Sequence, residues 1–148
     1  MHDIHVDHSG QIEKTNKPTA FAFSNKISRG MLVPTKVKQQ AVAQLTSKFQ
    51  KLRSPEYKLY AACFFLLVQS YVKEIRLITI DADFPGHEGE VKGMILEYLR
   101  RVRPFKKGDI TFMSIGKKDR ANLKALNIFR GDETPDHVVT IRELEQLL

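Results

Sequence analysis

The chain has 148 residues, of which 42% are hydrophobic and 28% charged, with a single cysteine and no tryptophan. This composition is typical of globular proteins, and it excludes collagen-like, low-complexity and wholly disordered chains. We expect one domain covering residues 1–148, with a core large enough to fold without a disulfide or a structural metal. The lone Cys63, inside an apolar run, excludes an internal disulfide and a cysteine-based zinc site.

The sequence shows no targeting or membrane-spanning segment. The first ten residues, MHDIHVDHSG, are polar and lack the apolar core of a signal peptide. The longest apolar stretch, residues 59–68, is about half as long as a membrane span requires. We therefore expect a cytoplasmic protein with no membrane partner.

The charge balance is strongly basic. Lys and Arg total 24 against 17 Asp and Glu, which gives a net charge of +7 at pH 7. Such an excess favours polyanionic partners, with nucleic acid (DNA or RNA) ahead of an anionic membrane. The alternative is a basic surface that serves only solubility.

The first half of the chain predicts three strands and two helices. Residues 3–7, 19–23 and 30–33 have strand patterns, and the last two suit an antiparallel hairpin. The polar segment 10–18 is a loop or a continuation of the first strand. Residues 35–52 predict a helix with Phe49 and Leu52 in its apolar stripe, whose other faces carry Lys36, Lys38, Lys48 and Lys51. Ser54 and Pro55 begin a second helix, which reaches about residue 73 and is apolar almost all round, as in a central core helix.

The second half alternates strand and helix. Strands are predicted at residues 76–80 and 109–115 and helices at 88–103 and 120–129, the latter ended by Gly131. Residues 138–139 suggest a short strand, and Thr140 and Glu143 form a capping box that opens the last helix. This order predicts an α/β fold with a mixed central sheet flanked by helices.

Acidic side chains follow the ends of three predicted strands. Asp7 closes the first strand, Asp81 closes the fourth with Asp83 beside it, and Asp119 follows the fifth. If the first and fourth strands are neighbours, Asp7 and Asp81 could share Mg²⁺ or Mn²⁺, and two such ions can cleave a phosphodiester. Alternatively, Asp7 forms a turn with Ser9, and Asp81 and Asp83 only cap the next loop.

The order of elements over roughly residues 4–129, with Asp7 in VDHSG and Asp81 in LITIDAD, resembles the ribonuclease H-like fold. That fold includes ribonucleases H, Holliday-junction resolvases and many other nucleases and transposases. The resemblance implies that Asp7, Asp81 and Asp119 are catalytic. It also implies a Mg²⁺ or Mn²⁺ bound by Asp7 and Asp81, with Asp83 or Asp119 completing the site.

The chain departs from this pattern at two places. The family places an acid on its first long helix, whereas residues 35–49 contain none and Glu56 only opens the next helix. In the last helix of the pattern, Asn122 stands where an acid is expected. A second resemblance, of IDADFPGHEGE to the Asp-x-Asp stretch of Toprim domains, lacks the glutamate that those domains need on an earlier parallel strand.

Basic residues supply the candidate nucleic-acid contacts. Gly116, Lys117 and Lys118 precede a helix, where backbone amides, the helix dipole and lysine charge can hold a phosphate; a plain basic loop is the alternative. The expected nucleic-acid-binding residues are Lys36, Lys38, Lys117, Lys118 and Arg120. The sequence therefore suggests a metal-dependent nucleic-acid phosphodiester hydrolase, similar to a nuclease or resolvase, or a diverged relative that binds without cutting. The alternative is a non-catalytic nucleic-acid-binding or protein-interaction module on the same fold.

Overall fold

A computed structural model describes residues 1–48 and 54–148 of the chain. Phe49, Lys51 and Leu52, which the sequence assigns to the end of the first helix, lie outside the described residues. The strands are β1 (His2–Ser9), β2 (Thr19–Ser24), β3 (Ser28–Val33), β4 (Ile75–Asp81), β5 (Ile110–Met113) and β6 (His137–Val138). The helices are α1 (Thr35–Lys48), α2 (Pro55–Val68), α3 (Glu88–Leu99), α4 (Arg120–Arg130) and α5 (Ile141–Glu145).

The strands form one mixed sheet, which confirms the predicted α/β class. Its order is β5-β4-β1-β2-β3-β6. β2 is antiparallel to both β1 and β3, and β4 is parallel to β1 and β5. The carboxyl ends of β1, β3, β4 and β5 therefore lie at the same end of the sheet, which we call the carboxyl end.

The first and fourth strands are direct neighbours, as the sequence analysis required. In their parallel register Ile4 lies opposite Ile78 and Val6 opposite Ile80. The next residues along the two strands are Asp7 and Asp81. Both therefore lie at the carboxyl end of the sheet, on adjacent strands.

Helices cover the two faces of the sheet unequally. α2 packs against β2, β3 and α3, and its residues from Leu59 to Val68 are all buried, as its apolar pattern predicts. Cys63 is among them, and burial raises the pKa of its thiol. The other face is covered by α4, which packs on β1, β2 and β3. None of the helices in the described ranges is both long and apolar enough to cross a membrane.

The close approach of α4 to the sheet requires a glycine beneath it. A Cβ atom on Gly30 would overlap the side chain of Ile128 and touch Cε of Lys124. With hydrogen at this position, α4 lies directly over the centre of the sheet. This proximity brings the first turn of α4 to the carboxylate of Asp7.

Several predicted boundaries shift in the structure. α2 ends at Val68 and continues as a 3₁₀ turn over Gln69–Glu74, and α3 stops at Leu99 rather than at residue 103. Two terminal signals are confirmed. Gly131 ends α4 with φ of 82°, and the Thr140 and Glu143 side chains cap α5 reciprocally.

Candidate functional site

Asp7 is a buried carboxylate held by two hydrogen bonds. It is 1% exposed, and its side chain faces α4. Its Oδ1 accepts from the backbone N–H of His8 at 2.7 Å, and its Oδ2 accepts from Nδ2 of Asn122 at 2.8 Å. The alternative interpretation, a turn with Ser9, is not what the structure has, because β1 continues to that residue and His8 supplies the local donor.

Asp81 lies next to Asp7 and is partly exposed. Its Oδ1 accepts from the backbone N–H of Ile115 at 2.8 Å, which ties the segment after β5 to the end of β4. Burial raises the pKa of Asp7, and the negative charge of Asp81 raises it further against the two hydrogen bonds that lower it. Two carboxylates that repel each other in this way are a pair that a cation would stabilise.

Asp83 does not join this pair. Its Oδ2 lies 2.9 Å from Nε2 of His8. Successive residues of a strand point to opposite faces, so His8 lies on the α2 face when Asp7 lies on the α4 face. The hydrogen bond with His8 lowers the pKa of Asp83. The structure thus places this predicted ligand with a different partner, across the sheet from Asp7.

The carboxylate of Asp119 caps the start of α4. Its Oδ1 accepts from the backbone N–H of Ala121 at 2.8 Å, as an N-cap, and its Oδ2 lies 2.7 Å from Nδ1 of His5. His5 precedes Asp7 by two strand positions, about 7 Å along β1. The carboxylate also fills the position at the helix N-terminus where the sequence suggested a bound phosphate.

The four predicted metal ligands therefore separate into a pair and two single carboxylates. Within residues 1–48 and 54–148, no group of three or more His, Cys, Asp or Glu side chains is arranged to hold a metal ion. Asp7 and Asp81 still fit Mg²⁺ or Mn²⁺ by the chemistry of their donors. Mg²⁺ needs only one or two protein carboxylates when water and substrate phosphate supply the other oxygens.

Lys38 does not lie on the predicted nucleic-acid-binding surface, so this prediction is wrong. It is fully buried, and its ammonium donates to the carbonyl oxygens of Gln11, Lys14 and Lys17 at 3.1, 2.8 and 2.9 Å. Burial lowers the pKa of Lys38 to about 8. The side chain therefore holds the loop between β1 and β2 against α1, and a phosphate cannot reach it.

The other predicted basic contacts are exposed. Lys36 lies at the start of α1, just after β3, and Lys117, Lys118 and Arg120 lie after β5. Since β3 and β5 end at the carboxyl end of the sheet, the segments that carry Lys36, Lys117 and Lys118 leave the sheet at the same end as Asp7 and Asp81. Arg120 is the exception, because it lines a cavity of about 370 Å³ with Ser24 and Asn25, where β2 ends at the opposite end of the sheet.

Two features of the site were not predicted from the sequence. The hydrogen bond between Asn122 and Asp7 has no local signal, because it depends on how α4 lies across the sheet. The side chain of His8 is buried among Phe21, Tyr60 and Phe84. Its Nδ1 and the hydroxyl of Tyr60 are buried without a hydrogen-bond partner in the described residues.

Comparison of the chain with protein-family models, curated protein sequences and solved structures found no match. The family resemblance consequently depends on the order of the elements and on the positions of Asp7 and Asp81. The upstream strands that run parallel to β4 are β1 and β3, and their sequences HDIHVDHS and SRGMLV contain no glutamate of the kind that the Toprim pattern requires.

Proposed function

We propose that this protein is a divalent-metal-dependent phosphodiester hydrolase of nucleic acid, built on a ribonuclease H-like fold. The observation that carries the proposal is the pair of Asp7 and Asp81, next to each other on adjacent parallel strands at the carboxyl end of the sheet. In open α/β sheets this end is where ligands bind. The resemblance described above requires acids at the same two places, the first strand and the end of the fourth.

Each residue of the pair has a defined part in this proposal. The carboxylates of Asp7 and Asp81 bind the cation, and the amide of Asn122 fixes the orientation of Asp7. The Ile115 N–H does the same for Asp81 and leaves its second oxygen without a bond from the described residues. A bound Mg²⁺ or Mn²⁺ would activate water and stabilise the leaving oxygen of the phosphodiester.

The proposed substrate class follows from the charges around this pair. Lys36, Lys117 and Lys118 are exposed and follow strands that end where Asp7 and Asp81 lie. Lys36 follows β3, two strands from β1, whereas Lys117 and Lys118 lie between Ile115, which bonds to Asp81, and Asp119, which bonds to His5. Such an arrangement suits a polynucleotide backbone, whose successive phosphates extend beyond the site of cleavage.

A nuclease assay tests the proposal. End-labelled single-stranded, duplex and four-way-junction DNA and the matching RNAs are incubated with the protein in Mg²⁺, in Mn²⁺ and in EDTA. We expect cleavage that requires the cation and is lost in Asp81→Asn, with Asp83→Asn as a matched control that retains it. Absence of cleavage of every substrate, or equal cleavage by Asp81→Asn, would contradict the proposal.

A second candidate, a non-catalytic nucleic-acid-binding module on this scaffold, is favoured by one observation. Asn122 occupies the position on α4 that contacts Asp7, so an amide stands where a third carboxylate could complete the cation site. The variant Asn122→Asp separates the two candidates. If the wild-type protein binds nucleic acid without cleaving it, and Asn122→Asp gains cation binding or cleavage, the module is the correct assignment.

A further inference from the structure

A groove separates α3 from the free edge of the sheet, and neither Asp7 nor Asp81 lines it. It has a volume of about 580 Å³, and its lining includes Gly89, Lys92, Gly93 and Leu96 of α3 together with Lys107 and Phe112. β5 is the last strand on this side of the sheet. The groove therefore lies along an unpaired strand edge, with a helix as its second wall.

The edge of β5 offers backbone groups to a further strand. The carbonyl oxygen of Met113 accepts from the N–H of Ala82 at 3.1 Å, so the backbone polar groups of Met113 face β4. Alternation along the strand turns the N–H and C=O of Phe112 the other way, into the groove. No residue in the described ranges bonds to them. Exposed edges of this kind are where extended peptides add as an extra strand.

The α3 wall of the groove is open where Gly89 and Gly93 have no side chains. Gly89 and Gly93 are four residues apart and therefore lie on one face of α3. A Cβ atom on either would meet nothing within 4 Å, so the packing of α3 does not require glycine at these positions. Glycine also lowers the stability of a helix interior, by about 1 kcal/mol relative to alanine. What the two glycines provide is space beside β5.

The charge of the groove selects among possible occupants. Lys92 and Lys107 both line the groove, where Nζ of Lys92 lies 3.3 Å from the backbone carbonyl oxygen of Lys107, and Glu88 is the acid among the lining residues. Residues 100–107, which lead into the groove at Lys107, include five Arg or Lys and no acid. A second copy of the chain, itself carrying +7, is repelled here. An acidic segment is attracted.

We propose that this groove binds an extended, acidic segment of a partner protein, which adds to the sheet as a strand beside β5. The backbone of the segment pairs with Phe112. Its side chains on one face enter the space over Gly89 and Gly93, and an acidic side chain reaches Lys92 and Lys107. Binding in the groove uses neither Asp7 nor Asp81, so it does not depend on the proposed hydrolase activity.

The test is a fluorescence-anisotropy titration with a labelled peptide, acetyl-Val-Glu-Val-Glu-Val-Glu-amide. Three comparison peptides are used: one with lysine in place of glutamate, one of scrambled order containing proline, and one N-methylated at alternate amides. We expect saturable binding of the first peptide and at least about tenfold weaker binding of the others. No binding of the first peptide, or equal binding of the lysine or N-methylated peptide, would overturn the proposal.

Two protein variants locate the binding. Gly93→Leu fills the groove while favouring the helix, and Glu97→Leu adds the same side chain to α3 outside the groove. We expect Gly93→Leu to abolish peptide binding and Glu97→Leu to retain it. Lys92→Glu, which leaves the shape of α3 unchanged, should weaken binding about tenfold. Peptide binding that survives Gly93→Leu would show that the proposal is wrong. The same titration with duplex DNA is the second check, and DNA binding that is lost in Gly93→Leu would assign the groove to nucleic acid instead.

Discussion

The side-chain amide of Asn122 donates a hydrogen bond of 2.8 Å to the carboxylate of Asp7, a residue 115 positions earlier in the chain. This contact links the packing of α4 to the geometry of the acidic pair. α4 can lie this close to β1 because Gly30 leaves room for Ile128 beneath it. The orientation of Asp7 is thus set by the docking of a helix that contributes no acid to the pair.

Asp7→Asn should make the protein more stable at neutral pH. Burial and the charge of Asp81 raise the pKa of Asp7, so its ionised form is unfavourable in the folded state. The substitution removes that charge, and the Asn122 amide can rotate to accept from the new amide. We expect a gain of about 1 kcal/mol in the free energy of unfolding, measured by urea denaturation.

The pH dependence of this gain has a definite sign. Because the folded-state pKa of Asp7 is raised, protonation favours folding, and that stabilisation is lost as the pH rises through the raised value. The difference between Asp7→Asn and wild type should therefore be largest at neutral pH. It should shrink toward zero as the pH falls to the ordinary value of 3.8. If the difference in unfolding free energy between the two proteins grew on acidification, burial would not be raising the pKa of Asp7.

Asp83→Asn should behave in the opposite way. The hydrogen bond with His8 lowers the pKa of Asp83, so the ionised form stabilises the fold at neutral pH. This stabilisation is lost as the pH falls below 3.8 and through the lowered value. Since the Asp83 side chain is 40% exposed, we expect the variant to lose less than about 1 kcal/mol. Thermal melts of both proteins between acidic and neutral pH check this.

Lys38→Met should destabilise the protein without changing its affinity for nucleic acid. Methionine fits the apolar part of the site but leaves the carbonyl oxygens of Gln11, Lys14 and Lys17 without their shared donor. Buried, unsatisfied acceptors predict a loss of about 3 kcal/mol in unfolding free energy. Denaturation measures the loss, and anisotropy with a labelled oligonucleotide in conditions where both proteins are folded measures the affinity. A reduced affinity would assign Lys38 a part in binding.

The double variant Lys117→Gln and Lys118→Gln should show the reverse pattern. Both side chains are exposed in the turn before α4, so the melting temperature should not change. If each contacts a phosphate, the slope of log affinity against log salt should fall in magnitude by about 2 for duplex DNA. Anisotropy titrations with single-stranded, duplex and junction substrates at two salt concentrations provide the slope. An unchanged affinity and slope would show that this turn does not contact nucleic acid.

The sequence was informative where the signal is local or periodic. Alternation and apolar runs located the strands, and the run from Leu59 to Val68 identified the central helix. Gly131 and the Thr140 capping box identified helix ends because these motifs are made by neighbouring residues. The proximity of Asp7 and Asp81 depended on a condition, that the first and fourth strands be neighbours, and the pairing of β1 with β4 meets it.

The sequence was uninformative where a side chain has a choice of distant partners. A lysine on a helix is ordinarily exposed, and no local pattern shows that the loop of Gln11, Lys14 and Lys17 closes over Lys38. Similarly, Asp83 follows the same strand as Asp81 but binds His8, because the chain turns to the other face of the sheet after β4. These contacts depend on tertiary packing, which residue spacing does not encode.

The most direct test of the account is a divalent-cation titration of the melting temperature, because a ligand that binds the folded state stabilises it. At 10-fold excess over its dissociation constant, roughly 1.4 kcal/mol of stabilisation corresponds to a rise of about 4.5 °C for a chain of this size. We expect Mn²⁺ and Mg²⁺ to raise the melting temperature of wild type and of Asp83→Asn, but not that of Asp81→Asn. A wild-type melting temperature that does not respond to millimolar cation, or an equal rise in Asp81→Asn, would contradict a metal site at Asp7 and Asp81.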